Sequence, residues 1–253
     1  MVYITGDCHA DWSRFAKRYF RAGDEMTAED FVIVCGDFGI WHDTKEERWN
    51  LDWLAKKPYN ILFVDGNHEN FDRLYSDEFP VVEFHGGMAH KIRENVYHLM
   101  RGYIFELCGK TFFAFGGASS HDIQDGILDR KDYKSNHEFN KVYRDWYESG
   151  KMFRVNHESW WEQEMPSDEE IAHGLMTLKD HGNKVDYIIT HCGPQQEVSM
   201  YSHGYYTPDK LTSYLNMISN VVTFDKWFFG HYHEDLRILD KYEMLYHQMI
   251  RIV

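Results

Sequence analysis

Five short stretches of this chain carry side chains able to hold metal ions or move protons. They are Gly6-Asp7-Cys8-His9, Gly36-Asp37, Gly66-Asn67-His68-Glu69, the lone His191, and Gly230-His231-Tyr232-His233. Asp, Asn and His offer carboxylate oxygen, amide oxygen and imidazole nitrogen. That donor set suits divalent ions of intermediate hardness such as Mn, Fe or Zn, and it needs no thiolate. His231 and His233 stand two residues apart, so in an extended segment both rings point the same way. Taken singly, each stretch is commonplace: Gly-Asp occurs everywhere, and a histidine at a strand end is usually a polar terminus. Five in order, each closing an apolar run, make accidental convergence a poor explanation.

The apolar runs are the elements that must position these groups. VYIT precedes the first Gly-Asp, FVIVC the second, NILFV precedes DGNH, DYIIT precedes His191, and WFF precedes GHYH. Short β-branched runs closed by Gly or Asp read as buried strands. Helix-like stretches at about 12–22 and 45–57 give a β-α-β-α-β opening. Ser167-Asp-Glu-Glu170 has the spacing of a capping box and predicts a helix ending near Gly182. YIFELCGKTFFAFGG predicts two antiparallel strands joined by a Cys108-Gly109-Lys110 turn, so the sheet content is mixed. In open α/β sheets, ligand sites gather beyond the carboxyl ends of strands, which is where all five clusters fall. The whole chain, 1–253, reads as one domain with an irregular excursion at about 118–166. That excursion is read either as lying beside the site or as an ordinary surface insertion.

The chain's 253 residues, 43% hydrophobic and 17% aromatic, suffice for a sizeable core. A net charge of −14 disfavours nucleic acid as a partner without excluding a phosphorylated small molecule, since bound cations invert the local potential. No run reaches the length of a membrane helix, and MVYITGD enters directly on a strand without a leader. Cys8, Cys35, Cys108 and Cys192 form no C-x-x-C pair, so buried packing roles and a cytoplasmic location are expected.

In order and spelling, GDCH, GD, GNHE, TH and GHYH resemble the motif series of the calcineurin-like metallophosphoesterases. The resemblance implies two mixed β-sheets packed as a sandwich with helices outside, an α/β fold. It also implies two divalent ions, one held by Asp7, His9 and His233, the other by Asn67, His191 and His231, with Asp37 between them. Two cations about 3.5–4 Å apart need a shared anion to offset their repulsion. The implied nucleophile is a bridging hydroxide, and His68 becomes the expected catalytic group at the leaving oxygen. Glu69 either orients a neighbour or faces solvent. A binding module that had lost its chemistry should show replaced ligands, and none of the seven is replaced.

In the phosphoprotein phosphatases the second motif continues x-x-Asp-Arg-Gly, but here Ile40 and Trp41 stand at those two positions. Ile40 cannot hydrogen-bond His68, and Trp41 cannot grip phosphate as an arginine fork would. The substrate-side candidates are therefore His42, Arg73, Asp122 and Arg130. The expected substrate is a phosphomonoester or nucleotide; a phosphodiesterase or nuclease of the same superfamily is the alternative.

Overall fold

The computed structural model describes residues 1–253. Its strands are β1 (Val2–Thr5), β2 (Phe31–Val34), β3 (Asn60–Phe63), β4 (Val81–Phe84), β5 (Gly87–Arg93), β6 (Val96–Leu99), β7 (Tyr103–Leu107) and β8 (Lys110–Phe115). They continue with β9 (Gly126–Leu128), β10 (Phe153–Val155), β11 (Tyr187–Thr190), β12 (Lys226–Phe229), β13 (Leu236–Ile238), β14 (Tyr242–Met244) and β15 (Met249–Arg251). The helices are α1 (Lys45–Leu54), α2 (Phe71–Leu74), α3 (Asn136–Glu148), α4 (Asp168–Asp180), α5 (Gln195–Ser202) and α6 (Lys210–Val221).

Two large mixed sheets result. One has the order β15-β1-β2-β3-β6-β5-β4, with parallel pairing from β1 through β2 and β3 to β6 and antiparallel pairing at β15-β1, β6-β5 and β5-β4. The other runs β13-β14-β12-β11-β8-β7, with β14, β12, β11 and β8 parallel. The strand period of two assigns the faces. Ile4, Ile33 and Leu62 of the first sheet meet Phe112, Ala114, Ile189 and Phe228 of the second in a shared core. Val32, Ile61 and Phe63 turn outward onto Leu51 and Leu54 of α1. Phe113, Ile188 and Trp227 turn outward onto Leu211, Leu215 and Ile218 of α6. Strands buried on both faces read as unbroken apolar runs, as the motif-bearing segments VYIT, FVIV, YIIT and KWFF do in large part.

The Ser167 capping box forms with both of its hydrogen bonds, and Gly182 follows α4 at φ +69°. The β7–β8 hairpin turns at Cys108-Gly109 as expected, with both residues at positive φ. The stretch 12–22 departs from expectation: it holds two 3₁₀ turns, Trp12–Phe15 and Arg21–Asp24, with extended backbone at Ala16 between them. Tertiary contacts override the helical pattern there. Arg14 turns inward and donates to Thr5 Oγ1 (2.7 Å), Gly6 O (2.9 Å) and Tyr246 O (2.8 Å), tying the turn to the end of β1.

The excursion has its own small core, in which Phe139 of α3 packs on Leu128 and Val155 of the parallel pair β9–β10. Beneath the third motif lies a buried ionic knot. Asp65 pairs with His98 Nε2 (3.0 Å) and with Arg101 through Nε (3.0 Å) and Nη2 (2.5 Å). Burial opposes a charge on Asp65, but Arg101 and His98 hold its carboxyl below the usual carboxylate range. The pair thus anchors the turn that carries Asn67 and His68.

Candidate metal centre

The parallel strands of both sheets deliver their carboxyl ends to one place. Asp7 and His9 follow β1, Asp37 follows β2, Asn67 and His68 follow β3, His191 follows β11, and His231 and His233 follow β12. Two glycines let the segments close on one another. A Cβ at Gly66 would stand 2.0 Å from Asp37 Oδ1, and one at Gly230 would stand 2.0 Å from Asp7 Oδ1. His9, Asp37, His231 and His233 all hold positive φ, between +46° and +69°. Each such residue costs about 1–3 kcal/mol, and such outliers gather where function over-determines the backbone.

Asp7, His9 and His233 form one tight group. His233 Nε2 lies 3.3 Å from Asp7 Oδ2 and 2.9 Å from His9 Nε2. Asp37 Oδ2 faces both sides of the cluster, 3.7 Å from His9 Nδ1 and 3.3 Å from His191 Nε2. His191 Nε2 also lies 3.3 Å from Asn67 Oδ1, while its Nδ1 donates to the Cys35 carbonyl at 2.7 Å. With its proton kept on Nδ1 by that donation, His191 would offer an Nε2 lone pair to a cation that displaced the second proton. His231 packs its ring 5.0 Å from that of His191 and donates its backbone N–H to both Asp7 oxygens. Its Nε2 meets His121 Nε2 at 2.8 Å.

The donor chemistry fits divalent ions. Two buried carboxylates face imidazoles and have no Lys or Arg salt-bridge partner. Burial opposes ionisation of Asp7, yet hydrogen bonds with His233 and His9 hold its pKa at about 2. Asp37 is likewise held low against its burial by His191. Burial opposes a charge on His191 too, and the Asp37 carboxylate overrides it, raising the imidazole to about 10. The cluster therefore asks for positive charge between its carboxylates and imidazoles, and divalent ions would supply it.

His68 sits at the rim, its ring 5.2 Å from that of His9 and its backbone N–H on Asp37 Oδ1 at 2.8 Å. Burial lowers its pKa. Trp41, standing where one branch of the family has arginine, donates Nε1 to the His68 carbonyl at 2.6 Å. Glu69 is fully buried and accepts the N–H groups of Phe38, Gly39 and Ile40, pinning the loop behind Asp37; the solvent-facing reading of Glu69 is overturned.

The substrate-side candidates separate. His42 is exposed and lines a cleft of about 200 Å³ together with Trp41, His68 and Arg154. Asp122 lies beside it, accepting from Arg154 Nε at 2.8 and 2.9 Å. Arg73 is a correction: it is spent on Glu47 (2.5 Å) and Glu78 (2.9 Å), and Glu47 in turn holds the Trp41 and His42 N–H groups. Arg130 is a second correction, an exposed partner of Glu158 (Nη2–Oε2 3.2 Å) that does not line the cleft.

Sequence reading missed Arg154, whose Nη1 lies 3.5 Å from His68 Nδ1. It also missed Glu164, which accepts from Ser120 N (2.9 Å), Ser120 Oγ (2.8 Å) and Trp160 Nε1 (2.9 Å). Asn67 Nδ2 donates to Ser120 Oγ at 3.4 Å, so this chain turns the amide nitrogen outward and the oxygen into the cluster. No motif marks either residue; both come from the excursion. Glu164→Gln is expected to weaken divalent-metal binding about 10- to 100-fold, read by chelator competition, with the melting temperature as control. Unchanged affinity would remove Glu164 from the positioning of Asn67.

An Asp-His-Asn cluster beyond the strand ends of a two-sheet α/β fold is a site built to hold divalent metal. The family model described as calcineurin-like phosphoesterase matches residues 1–235, and the chain belongs to that family. It is a metal-dependent phosphate-ester hydrolase. No curated protein matches the chain. No helix is long and apolar enough to cross a membrane.

Proposed function

We propose that the protein hydrolyses a small phosphomonoester or nucleotide at a pair of divalent ions, drawn from Mn, Fe or Zn. Asp7, His9 and His233 would hold one ion, and Asn67, His191 and His231 the other. The observation that carries this reading is Asp37, whose Oδ2 faces His9 on one side and His191 on the other. Bound there, two ions would lower the pKa of the attacking water and offset charge on the phosphoryl oxygens.

The chain's own residues supply the rest. Arg154 brings a guanidinium to the cleft, held in orientation by Asp122, and takes the place of the arginine that Trp41 displaces. Arg154 is a permanent donor, so His68 Nδ1 accepts from it and the ring carries its proton on Nε2, free to meet a leaving oxygen. The cytoplasm suits four unpaired cysteines, three of them buried. The net charge of −14 favours a small substrate over a polynucleotide.

The test is a panel of phosphomonoesters, phosphodiesters and nucleotides run with Mn²⁺, with bound metal counted. About two ions per chain and highest catalytic efficiency on a monoester or nucleotide are expected. Preference for diesters would move the protein to the phosphodiesterase branch. A chain without metal and without turnover on any ester would sink the proposal.

A further inference from the structure

We infer that the excursion adds a ring-binding shelf to the cleft, and that the substrate is a nucleotide-type ester whose base lies on Tyr143 and Tyr147. The inference rests on the phosphoesterase reading above and names the leaving group that reading leaves open.

Strand β10 ties the shelf to the chemistry. Its residues alternate, so Arg154 reaches His68 while Phe153 turns to α3. Tyr143 stands edge-on to Phe153, with ring centroids 5.3 Å apart. One helical turn on, Tyr147 lies parallel to Tyr143, at 6.4 Å and 6°. Side chains at i and i+4 share a helix face, so the two rings make one surface. That surface is bare: Tyr143 is 41% and Tyr147 71% exposed. Trp146, on the same helix, shows the contrasting case, for it is packed on Phe153 and covered by Lys151 at 4.1 Å.

The tyrosines border a cavity of about 490 Å³ that shares Glu158 and Ser159 with the 200 Å³ cleft at His68. The two spaces therefore adjoin at Glu158 and Ser159, and a ligand that bridged them would form a trough reaching from His68 to α3. Together they match the size of pockets that take drug-sized ligands. The polar groups along the trough suit the middle of a nucleotide. The Glu158 carboxylate can accept sugar hydroxyls, and its charge is balanced by Arg130, as that of Asp122 is by Arg154, so a phosphate is not repelled on its way in. Exposed tyrosine faces at the far end offer stacking that any base can use.

The test uses the full chain loaded with Mn²⁺ and compares adenosine 5′-monophosphate with glycerol 2-phosphate, which has no ring. In a Tyr143→Ala/Tyr147→Ala variant, the ratio of their kcat/KM values is expected to fall about 5- to 150-fold, mainly through KM for the nucleotide. Tyr143→Phe/Tyr147→Phe should keep the ratio. Equilibrium dialysis should show adenosine bound by the wild type and released by the alanine variant, a readout independent of turnover. An unchanged ratio, or adenosine binding equal in both proteins, would overturn the shelf. Hydrolysis of neither ester by the wild type would instead sink the monoester reading, and dialysis would then judge the shelf alone.

Discussion

Replacing Asp37 by asparagine is expected to cut bound metal from about two ions per chain to one or fewer, and to lower kcat/KM by about 10²–10³-fold or more. The substitution keeps the shape of the side chain, so its effect isolates charge. In the native arrangement Oδ1 is occupied by the His68 N–H at 2.8 Å, which fixes Oδ2 toward His191 and His9. Asparagine would satisfy the same N–H with its amide oxygen and turn an NH₂ group toward the imidazoles. A donor cannot ligate a cation, and a neutral group cannot offset the repulsion between two of them. Asp7→Asn should differ, depleting the position shared by His9 and His233 while sparing the one at His191. Elemental analysis of each purified variant checks both statements, with thermal melts as the control for folding. If Asp37→Asn kept two ions and near-native turnover, the bridging role would be wrong.

The strand framework was legible because strands buried on both faces leave an unbroken apolar trace, and the clusters were legible because each follows such a strand within a few residues. The capping box at Ser167 and the turn at Cys108-Gly109 were equally plain, since local hydrogen bonds decide them. What escaped was decided at long range. Arg14 looks like a helix-surface charge, but its guanidinium is drawn to carbonyls as far along the chain as Tyr246, and the expected helix is broken into turns. Arg73 looked free to meet substrate until the fold set Glu47 and Glu78 beside it. Arg154 stands 86 residues from His68, and Glu164 stands 44 from Ser120; no spacing rule links positions so far apart. The small-residue loop of 118–166 pointed to Asp122 and Arg130 as side chains for the cleft, but nothing in its composition singled out Arg154 or Glu164.

His68→Ala is expected to keep metal content while lowering kcat about 10²–10⁴-fold. The reason lies in how its ring is held. Trp41 Nε1 on the His68 carbonyl and Asp37 Oδ1 on its N–H fix the backbone, so the ring hangs at the rim of the cluster beside the cleft. Arg154, donating to Nδ1, places the proton on Nε2, where it can meet the oxygen that departs. A hydrogen bond delivered there matters most when the departing oxygen is strongly basic. The loss should therefore be large for alkyl esters such as glycerol 2-phosphate and much smaller for p-nitrophenyl phosphate, whose leaving group needs no help. Arg154→Ala should reproduce part of this dependence on leaving group and, if the guanidinium meets the phosphate as proposed, also raise KM. His68 has a competing role as a ligand, since its ring lies within ligating range of His9 and Asp37. The two roles separate cleanly: a ligand's removal empties a metal position and slows every ester alike, whereas loss of the donor leaves metal in place and spares the good leaving group.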